Sequence, residues 1–181
     1  DGPALIVVNH LGDADSVIGM AFFPMRADAV SKADLYDFPL VGPFMDAYGV
    51  IWVHRGHPDR RALRAALQGL KEGRMVAIAP EGRESVTGEL EEGTGGAAFL
   101  ALRANVPVIP AVFTGTENDR IYGNLKRLRR TKISVTVGPM FTLGHLRGQK
   151  EAVEQGTSLI MLSLAKLLPP EYRGVYQVEI E

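Results

Sequence analysis

An aliphatic run passes directly into a polar segment in the stretch Ala4-Leu5-Ile6-Val7-Val8-Asn9-His10-Leu11-Gly12-Asp13-Ala14-Asp15. Such a run is typical of a buried parallel strand, and α/β folds place reactive groups at the carboxyl ends of these strands. His10 is therefore expected at the mouth of a sheet. The spacing suggests a base, His10, and a carboxylate, Asp15, that orients its ring. A polar turn in which Asp13 or Asp15 caps the next helix is the alternative.

Further strands and helices alternate along the chain. Short aliphatic runs predict strands at Leu5–Val8, Val50–Val53, Met75–Ala79, Val108–Phe113 and Ile133–Val137. Apolar spacing and capping residues predict helices from Asp15 or Ser16 to Phe23, Pro39 to Tyr48, Asp59 to Glu72, Thr94 or Gly95 to Ala104, and Glu151 to Leu168. No linker divides them, so we expect one α/β domain over residues 1–181, with a mixed, mostly parallel sheet flanked by helices.

The composition narrows the classes of function. The 20 Lys and Arg side chains against 21 Asp and Glu leave a net charge of −1, which gives no overall attraction to nucleic acid or anionic lipid. The absence of cysteine excludes disulfides and thiolate chemistry, and no apolar run approaches the ~20 residues of a membrane span. Because the chain begins almost directly on a buried strand without a leader, we expect a natural N-terminal segment to be missing from it.

Two later strands end on arginine. The run Gly49-Val50-Ile51-Trp52-Val53-His54 leads to Arg55, and Ala77-Ile78-Ala79-Pro80 leads into Glu81-Gly82-Arg83-Glu84-Ser85. A guanidinium donates two parallel hydrogen bonds to adjacent phosphate oxygens, so the two strand ends together indicate an anionic ligand. Either arginine alone would more often form a surface salt bridge.

Two further segments have both a functional and a structural interpretation. Val106-Pro107-Val108-Ile109-Pro110 could line a wall for an acyl chain through Val108 and Pro110, or could be simple strand entry. A stretch without any acid could face lipid headgroups or be a solvated surface loop; its cations are Arg120, Lys126, Arg127, Arg129, Arg130 and Lys132.

In order and spacing, these blocks resemble the PlsC-like glycerolipid acyltransferases, the family that includes 1-acyl-sn-glycerol-3-phosphate acyltransferase. The resemblance runs roughly from Gly2 to Gly138. It comprises a His-x4-Asp block at His10 and Asp15, the strand that ends at Arg55, the Pro80-Glu81-Gly82 block, and the proline block of residues 106–110. Residues 31–35 and 39–42 resemble the segment that links the first two blocks.

The resemblance implies the fold of that family and an acyl transfer from acyl-CoA or acyl carrier protein to the hydroxyl of a lysophospholipid, most simply 1-acyl-sn-glycerol-3-phosphate. In that scheme His10 is the general base and Asp15 stabilises its imidazolium. The acceptor's phosphate and glycerol are held by Arg55, Glu81, Gly82, Arg83 and Ser85. No metal or bound cofactor is implied. The lipid substrates imply attachment at the cytoplasmic face of a membrane, peripherally or through a segment absent from this chain, and no nucleic acid partner.

The sequence departs from the family pattern at residues 80–85, which we call the acceptor block because the resemblance assigns acceptor binding to it. The family commonly has Pro-Glu-Gly-Thr-Arg-Ser, whereas Arg83 and Glu84 stand here where Thr and Arg are expected. Gly12 occupies a position that is frequently serine. These departures leave the His10 and Asp15 pair intact and bear on the identity of the acceptor, so an acyltransferase of this family with a different lipid acceptor is an alternative.

Features of three other classes of protein also occur in the sequence. Gly93-Thr94-Gly95-Gly96-Ala97-Ala98 satisfies Gly-x-Gly-x-x-Ala and precedes a helix, but it follows an acidic loop rather than a strand, where a pyrophosphate would be repelled. A serine hydrolase would need a Gly-x-Ser-x-Gly motif, which is absent, and Ser16 has the wrong setting. A non-catalytic lipid-binding protein on the same fold would tolerate the loss of His10.

Overall fold

Six strands form one sheet in the computed structural model of the chain, which describes residues 2–22, 27–32, 51–53 and 60–177. The strands are β1 (Leu5–Val8), β2 (Ala27–Lys32), β3 (Ile51–Val53), β4 (Met75–Ile78), β5 (Val108–Thr114) and β6 (Ser134–Val137). The α-helices of the described residues are α1 (Ala14–Phe22), α2 (Arg60–Lys71), α3 (Gly96–Ala104), α4 (Asn118–Lys126) and α5 (Ala152–Leu167). Short 3₁₀ turns occupy Gly144–Leu146 and Pro170–Tyr172.

The strand order β3-β2-β4-β1-β5-β6 places β1 inside the sheet. Strands β1 to β5 are parallel, and β6 runs antiparallel to β5 at one edge. The chain leaves β1 toward β2 on one side, whereas it leaves β4 toward β5 on the other side. Such a divergence opens a crevice at the carboxyl ends of the strands, and ligands of open α/β sheets bind there. His10 follows β1 at this point.

The main core lies on one face of the sheet. Because successive strand residues point to opposite faces, Leu5 and Val7 of β1 join this core while Ile6 belongs to a smaller cluster with Ala111 on the other face. Helices α2, α3 and α5 cover the main core. Small residues allow the close approach of α3 and α5, where a Cβ on Gly156 would lie 3.1 Å from that of Ala98.

The predicted α/β class, with a mixed and mostly parallel sheet flanked by helices, is confirmed. The predicted elements appear within one or two residues of their expected bounds wherever the chain is described. The helix expected from Pro39 to Tyr48 lies outside the described residues.

The sequence predicted neither β2 nor α4. Strand β2 reads Ala-Asp-Ala-Val-Ser-Lys and has no aliphatic run, and it is stabilised by pairing with β3 and β4. Helix α4 has no buried residue and carries Gly123 in its interior, so it lacks the buried apolar face that α2, α3 and α5 present. The basic stretch is therefore helical up to Lys126 rather than a loop throughout.

Candidate active site

The histidine and the aspartate of the opening stretch meet at the end of β1. The Nδ1 atom of His10 lies 3.0 Å from Oδ2 of Asp15, and the same oxygen accepts hydrogen bonds from the backbone N–H groups of Leu11 (2.6 Å) and Gly12 (3.0 Å). Asp15 is 4% exposed, whereas the His10 side chain is 22% exposed. The carboxylate is thus held by buried N–H groups, and the partly exposed ring has no hydrogen bond at Nε2 to any residue that the structure describes.

Asn9, which sequence reasoning passed over, fixes the end of β1 to β5. Its side chain donates to the carbonyl of Phe113 at 3.0 Å and accepts from the N–H of Phe113 at 2.7 Å. This pair continues the β1–β5 ladder beyond the last strand residue, in a position that is buried from water. The only sequence signal for this role is an amide residue directly between the strand and the histidine.

Glu81 holds the main chain of His10. One of its carboxylate oxygens accepts from the N–H of His10 at 3.1 Å, and the other accepts from the N–H of Glu91 at 2.9 Å. The N–H of Ser85 donates to the carbonyl of His10 at 2.8 Å. The loop after β4 therefore clamps the histidine from both sides of its backbone.

Burial makes the Glu81 carboxyl a weaker acid than an exposed glutamic acid. Desolvation raises its pKa from 4.5 to about 7, against the smaller lowering effect of the N–H groups of Glu91 and His10. Near neutral pH the group is therefore only partly ionised. Gly82 allows this buried placement, because the turn that follows Glu81 needs a φ of +74°.

The remaining residues of the acceptor block have protein partners. The Arg83 guanidinium contacts Oε2 of Glu91 through Nη2 at 2.6 Å and through Nε at 2.8 Å. Glu84 accepts from the side-chain amide of Asn118 at 2.8 Å, and the Ser85 hydroxyl donates to the carbonyl of Glu89 at 2.6 Å. The loop thus lies beside the His10 and Asp15 pair, with Arg83 more than half exposed at its surface.

Helix α4 packs against the turn that carries the pair. The Asn118 side chain accepts from the N–H of Asp13 at 3.0 Å, and the Tyr122 hydroxyl donates to the Asp13 carboxylate at 3.0 Å. A Cβ on Gly12 would lie 2.6 Å from the carbonyl oxygen of Thr116 and 2.7 Å from Oδ1 of Asn118. This close approach accounts for glycine where serine is frequent in the family, since α4 occupies the space that a side chain would need.

Three other predicted site residues are Arg55, Val108 and Pro110, of which Val108 and Pro110 make none of the contacts described above for the His10 and Asp15 pair. Arg55 lies outside the described residues. Val108 is fully buried in the main core, which favours its structural interpretation, and Pro110 is buried next to Gly138. Among the described residues no group of three His, Asp or Glu is placed to hold a metal. In the same part of the chain, no helix is long and apolar enough to cross a membrane.

The glycine-rich segment after the acidic loop is explained by packing. A Cβ on Gly93 would lie 2.5 Å from the Met161 side chain, and one on Gly95 would lie 2.9 Å from that of Val153. The N–H of Gly93 donates to the Tyr176 hydroxyl at 3.0 Å. These glycines let the chain pass close to α5, so their pattern needs no dinucleotide.

The fold and the site together define an α/β protein with a carboxylate-oriented histidine at the carboxyl end of a central parallel strand. The family model for acyltransferases matches residues 1–114. The chain therefore belongs to the PlsC-like acyltransferase family.

Individual relatives agree with this assignment. The human 1-acyl-sn-glycerol-3-phosphate acyltransferase beta is 30% identical over 138 residues, which are 75% of this chain and 49% of that protein. A 1-acyl-sn-glycerol-3-phosphate acyltransferase of Chlamydomonas reinhardtii is 28% identical over 178 residues, which are 96% of this chain and 51% of that protein. The chain thus spans about half the length of these relatives.

A solved structure supports the fold. The crystal structure of the 1-acyl-sn-glycerophosphate acyltransferase PlsC from Thermotoga maritima superposes with a TM-score of 0.65. The match covers 92% of this chain and 67% of that one, at 21% sequence identity. The PlsC-like fold expected from the sequence is therefore confirmed.

Proposed function

We propose that the chain catalyses transfer of a fatty acyl group from acyl-CoA or acyl carrier protein to the free hydroxyl of 1-acyl-sn-glycerol-3-phosphate, which gives phosphatidic acid. The observation that carries this proposal is the 3.0 Å contact between Nδ1 of His10 and the buried carboxylate of Asp15. The choice of acceptor is supported by the relatives, which are named 1-acyl-sn-glycerol-3-phosphate acyltransferases. The reaction belongs at the cytoplasmic face of a membrane, where its lipid acceptor and thioester donor meet.

His10 is the general base in this reaction. With Nδ1 facing Asp15, Nε2 takes the proton of the acceptor hydroxyl as its oxygen attacks the thioester carbonyl carbon. The C–S bond then breaks, and the imidazolium returns the proton to the leaving thiolate. Asp15 stabilises the imidazolium between these two transfers, so no covalent acyl-enzyme is required. The clamped backbone of His10 keeps the ring in place throughout.

The test of His10 is a pair of histidine substitutions. We expect His10→Ala to lower kcat for acyl transfer by about 10²–10⁴-fold, because the general base is lost. His145→Ala is the matched control, since His145 is exposed on the Gly144–Leu146 turn, and it should retain wild-type turnover. Circular dichroism and thermal unfolding of both variants check that the fold is kept. Wild-type turnover in His10→Ala would show that His10 is not the general base, whereas no turnover in the wild-type protein would favour a lipid-binding role.

In this proposal the acceptor's phosphate and glycerol are bound by Arg55 and by the loop after β4, with Glu81, Gly82, Arg83 and Ser85. For Arg55→Ala we expect a raised KM for 1-acyl-sn-glycerol-3-phosphate and little change for a neutral monoacylglycerol, because a bidentate phosphate contact is removed. Steady-state kinetics on the two acceptors measure this difference. An equal loss with both acceptors would show that Arg55 does not bind the phosphate.

A further inference from the structure

A basic surface without carboxylates lies at the end of α4. We define the basic tip as residues 121–133, which cover most of α4 and the loop before β6. No Asp or Glu occurs anywhere from residue 120 to residue 150. Five cations of the tip are exposed, and within the part of the chain that the structure describes they form no ion pair; they are Lys126, Arg127, Arg129, Arg130 and Lys132. Although the net charge is −1, this tip is strongly positive.

Apolar side chains are exposed among these cations. Leu125 is 65% exposed and Leu128 is 94% exposed. Of the 13 large hydrophobic residues that are exposed in the described parts of the chain, six lie between Tyr122 and Met140. Single exposed leucines are ordinary, but several exposed apolar side chains within one short segment are typical of an interaction site, and four of these six lie in the tip.

Leu128 also adopts a backbone conformation that disfavours it. The helix ends in a Schellman motif, in which the N–H of Arg129 donates to the carbonyl of Asn124 and the N–H of Leu128 donates to that of Leu125. Leu128 takes the position that glycine usually occupies, with a φ of +51°. A leucine there is strained and contributes little burial to folding, so its side chain has no evident role in stability.

The basic tip is connected to the active site through α4. The first turns of α4 contact Asp13 through Asn118 and Tyr122, and Asp13 lies between His10 and Asp15 in the chain. At 1.5 Å per residue, the nine residues of α4 from Asn118 to Lys126 span about 13 Å. The tip is therefore one short helix away from the catalytic pair.

We propose that the basic tip docks the protein on a bilayer that contains anionic lipids, with Leu125 and Leu128 inserted at the headgroup boundary and the flanking cations facing lipid phosphates. Cations around exposed apolar side chains match the two components of such a surface. This inference rests on the proposed function in one respect: it explains how a site that acts on a lipid hydroxyl is held at the bilayer.

An acidic protein, such as the acyl carrier protein, is the competing partner for a basic surface. Charge alone would suit either of them. Leu128 favours the bilayer, because it projects almost completely into solvent at the centre of the cations rather than lining a concave pocket. The competing partner is included as an outcome of the test.

Vesicle cosedimentation tests the proposal directly. The chain should bind vesicles of phosphatidylcholine mixed with phosphatidylglycerol, and bind vesicles of phosphatidylcholine alone much more weakly, with loss of binding at high salt. In the variant Arg127→Gln/Arg129→Gln/Arg130→Gln we expect the partition coefficient to fall roughly 100-fold, since three surface cations are removed. A charge-matched control, Arg64→Gln/Arg103→Gln/Arg147→Gln, should bind like wild type, because these exposed arginines lie outside the tip.

Leu128→Gly separates membrane insertion from folding. Glycine suits the positive φ, so we expect an unchanged or higher Tm together with vesicle binding reduced by about tenfold, because an inserting side chain is lost. Val86→Ser is the control for removal of an exposed apolar side chain elsewhere, since Val86 is 77% exposed. Wild-type vesicle binding by Leu128→Gly would overturn the proposal.

The remaining outcomes distinguish this proposal from the proposed function. Equal losses in the two triple variants would overturn the proposal, as would binding of the tip to acyl carrier protein without any vesicle binding. Activity is measured separately on a short-chain acceptor that is monomeric in solution, where the tip variants should match wild type. Failure of acyl transfer in wild type and in every variant would refute the proposed function. The vesicle-binding result would still test the membrane proposal, because it does not depend on activity.

Discussion

A single oxygen atom organises the candidate active site at the scale of residues. Oδ2 of Asp15 accepts from the Leu11 and Gly12 N–H groups and contacts the ring of His10, so one carboxylate both shapes the turn and orients the imidazole. Asp15 lies within α1 and accepts from N–H groups that precede this helix, so it shapes the turn rather than capping the helix, and its role toward His10 stays a prediction. The turn-forming role belongs to its backbone partners, and the proposed chemical role to its contact with the imidazole.

Substitution separates these two roles. In Asp15→Asn the amide oxygen can still accept the two backbone N–H groups, but no charge remains to stabilise an imidazolium. We expect kcat to fall by about 10²–10⁴-fold, with a Tm close to wild type. Asp15→Ala should lower both kcat and Tm, because the two N–H groups lose their acceptor. Asp13→Asn is the neighbouring control, and a loss as large as that of Asp15→Asn would contradict the assignment.

At the scale of elements, the active site is made where β1, the loop after β4 and the start of α4 come together. Asn9 fixes β1 to β5, Glu81 brings the loop to His10, and Asn118 brings α4 to Asp13. Asn118 also binds Glu84, one of the residues that depart from the family pattern. The departures at Gly12 and Glu84 thus both contact Asn118 at the start of α4.

Two glycines test the packing of α4 in opposite directions. Gly12→Ala should destabilise the protein by about 1–3 kcal/mol, because its Cβ would overlap the Thr116 carbonyl and the Asn118 side chain. Gly123→Ala, with no atom within 4 Å of the added Cβ, should stabilise α4 by up to about 1 kcal/mol. Denaturant unfolding measures both changes. Equal effects of the two substitutions would show that α4 does not pack against Gly12.

At the scale of the whole molecule, the buried carboxyl of Glu81 couples the site to global stability. Its pKa is raised in the folded protein from 4.5 to about 7, so the folded state holds this proton more tightly than the unfolded state. The contribution of this group to the free energy of unfolding is fully present below about pH 4.5 and is lost as the pH rises through about 7. Holding Glu81 buried against the His10 backbone therefore lowers the free energy of unfolding most at neutral and alkaline pH, where the carboxyl is ionised in the unfolded chain.

Glu81→Gln removes this titration. We expect the free energy of unfolding of wild type, relative to that of Glu81→Gln, to decrease between about pH 4.5 and pH 7 by up to about 3 kcal/mol. Other carboxyls titrate in both proteins, so their effects cancel in the difference. Denaturant unfolding at several pH values gives the comparison. A pH-independent difference would contradict the raised pKa.

Much of the fold could be predicted from the sequence, because strands, helices and short turns depend on residues that are close together in the chain. The continuous aliphatic run of β1 indicates a strand buried on both faces, and the apolar spacing of α2 and α5 indicates helices that cover a core. The pairing of His10 with Asp15 is also local, since five residues of chain bring the two side chains together. The ordered blocks then placed the chain in its family, which the family model and the relatives confirm.

Tertiary structure decided what depends on residues distant in the chain. Strand β2 has no aliphatic run and is held by pairing with β3 and β4, and α4 has no buried residue and is held by polar contacts at its first turns. The partners of Glu81, Arg83 and Glu84 lie 10, 8 and 34 residues away or further, at distances that spacing along a sequence cannot specify. The sequence by itself determined the fold class and the contact between His10 and Asp15, because strand burial and a short turn are local properties. Only the folded chain decided how the pair is clamped and which surface stands exposed beside it, because those properties arise where separate elements meet.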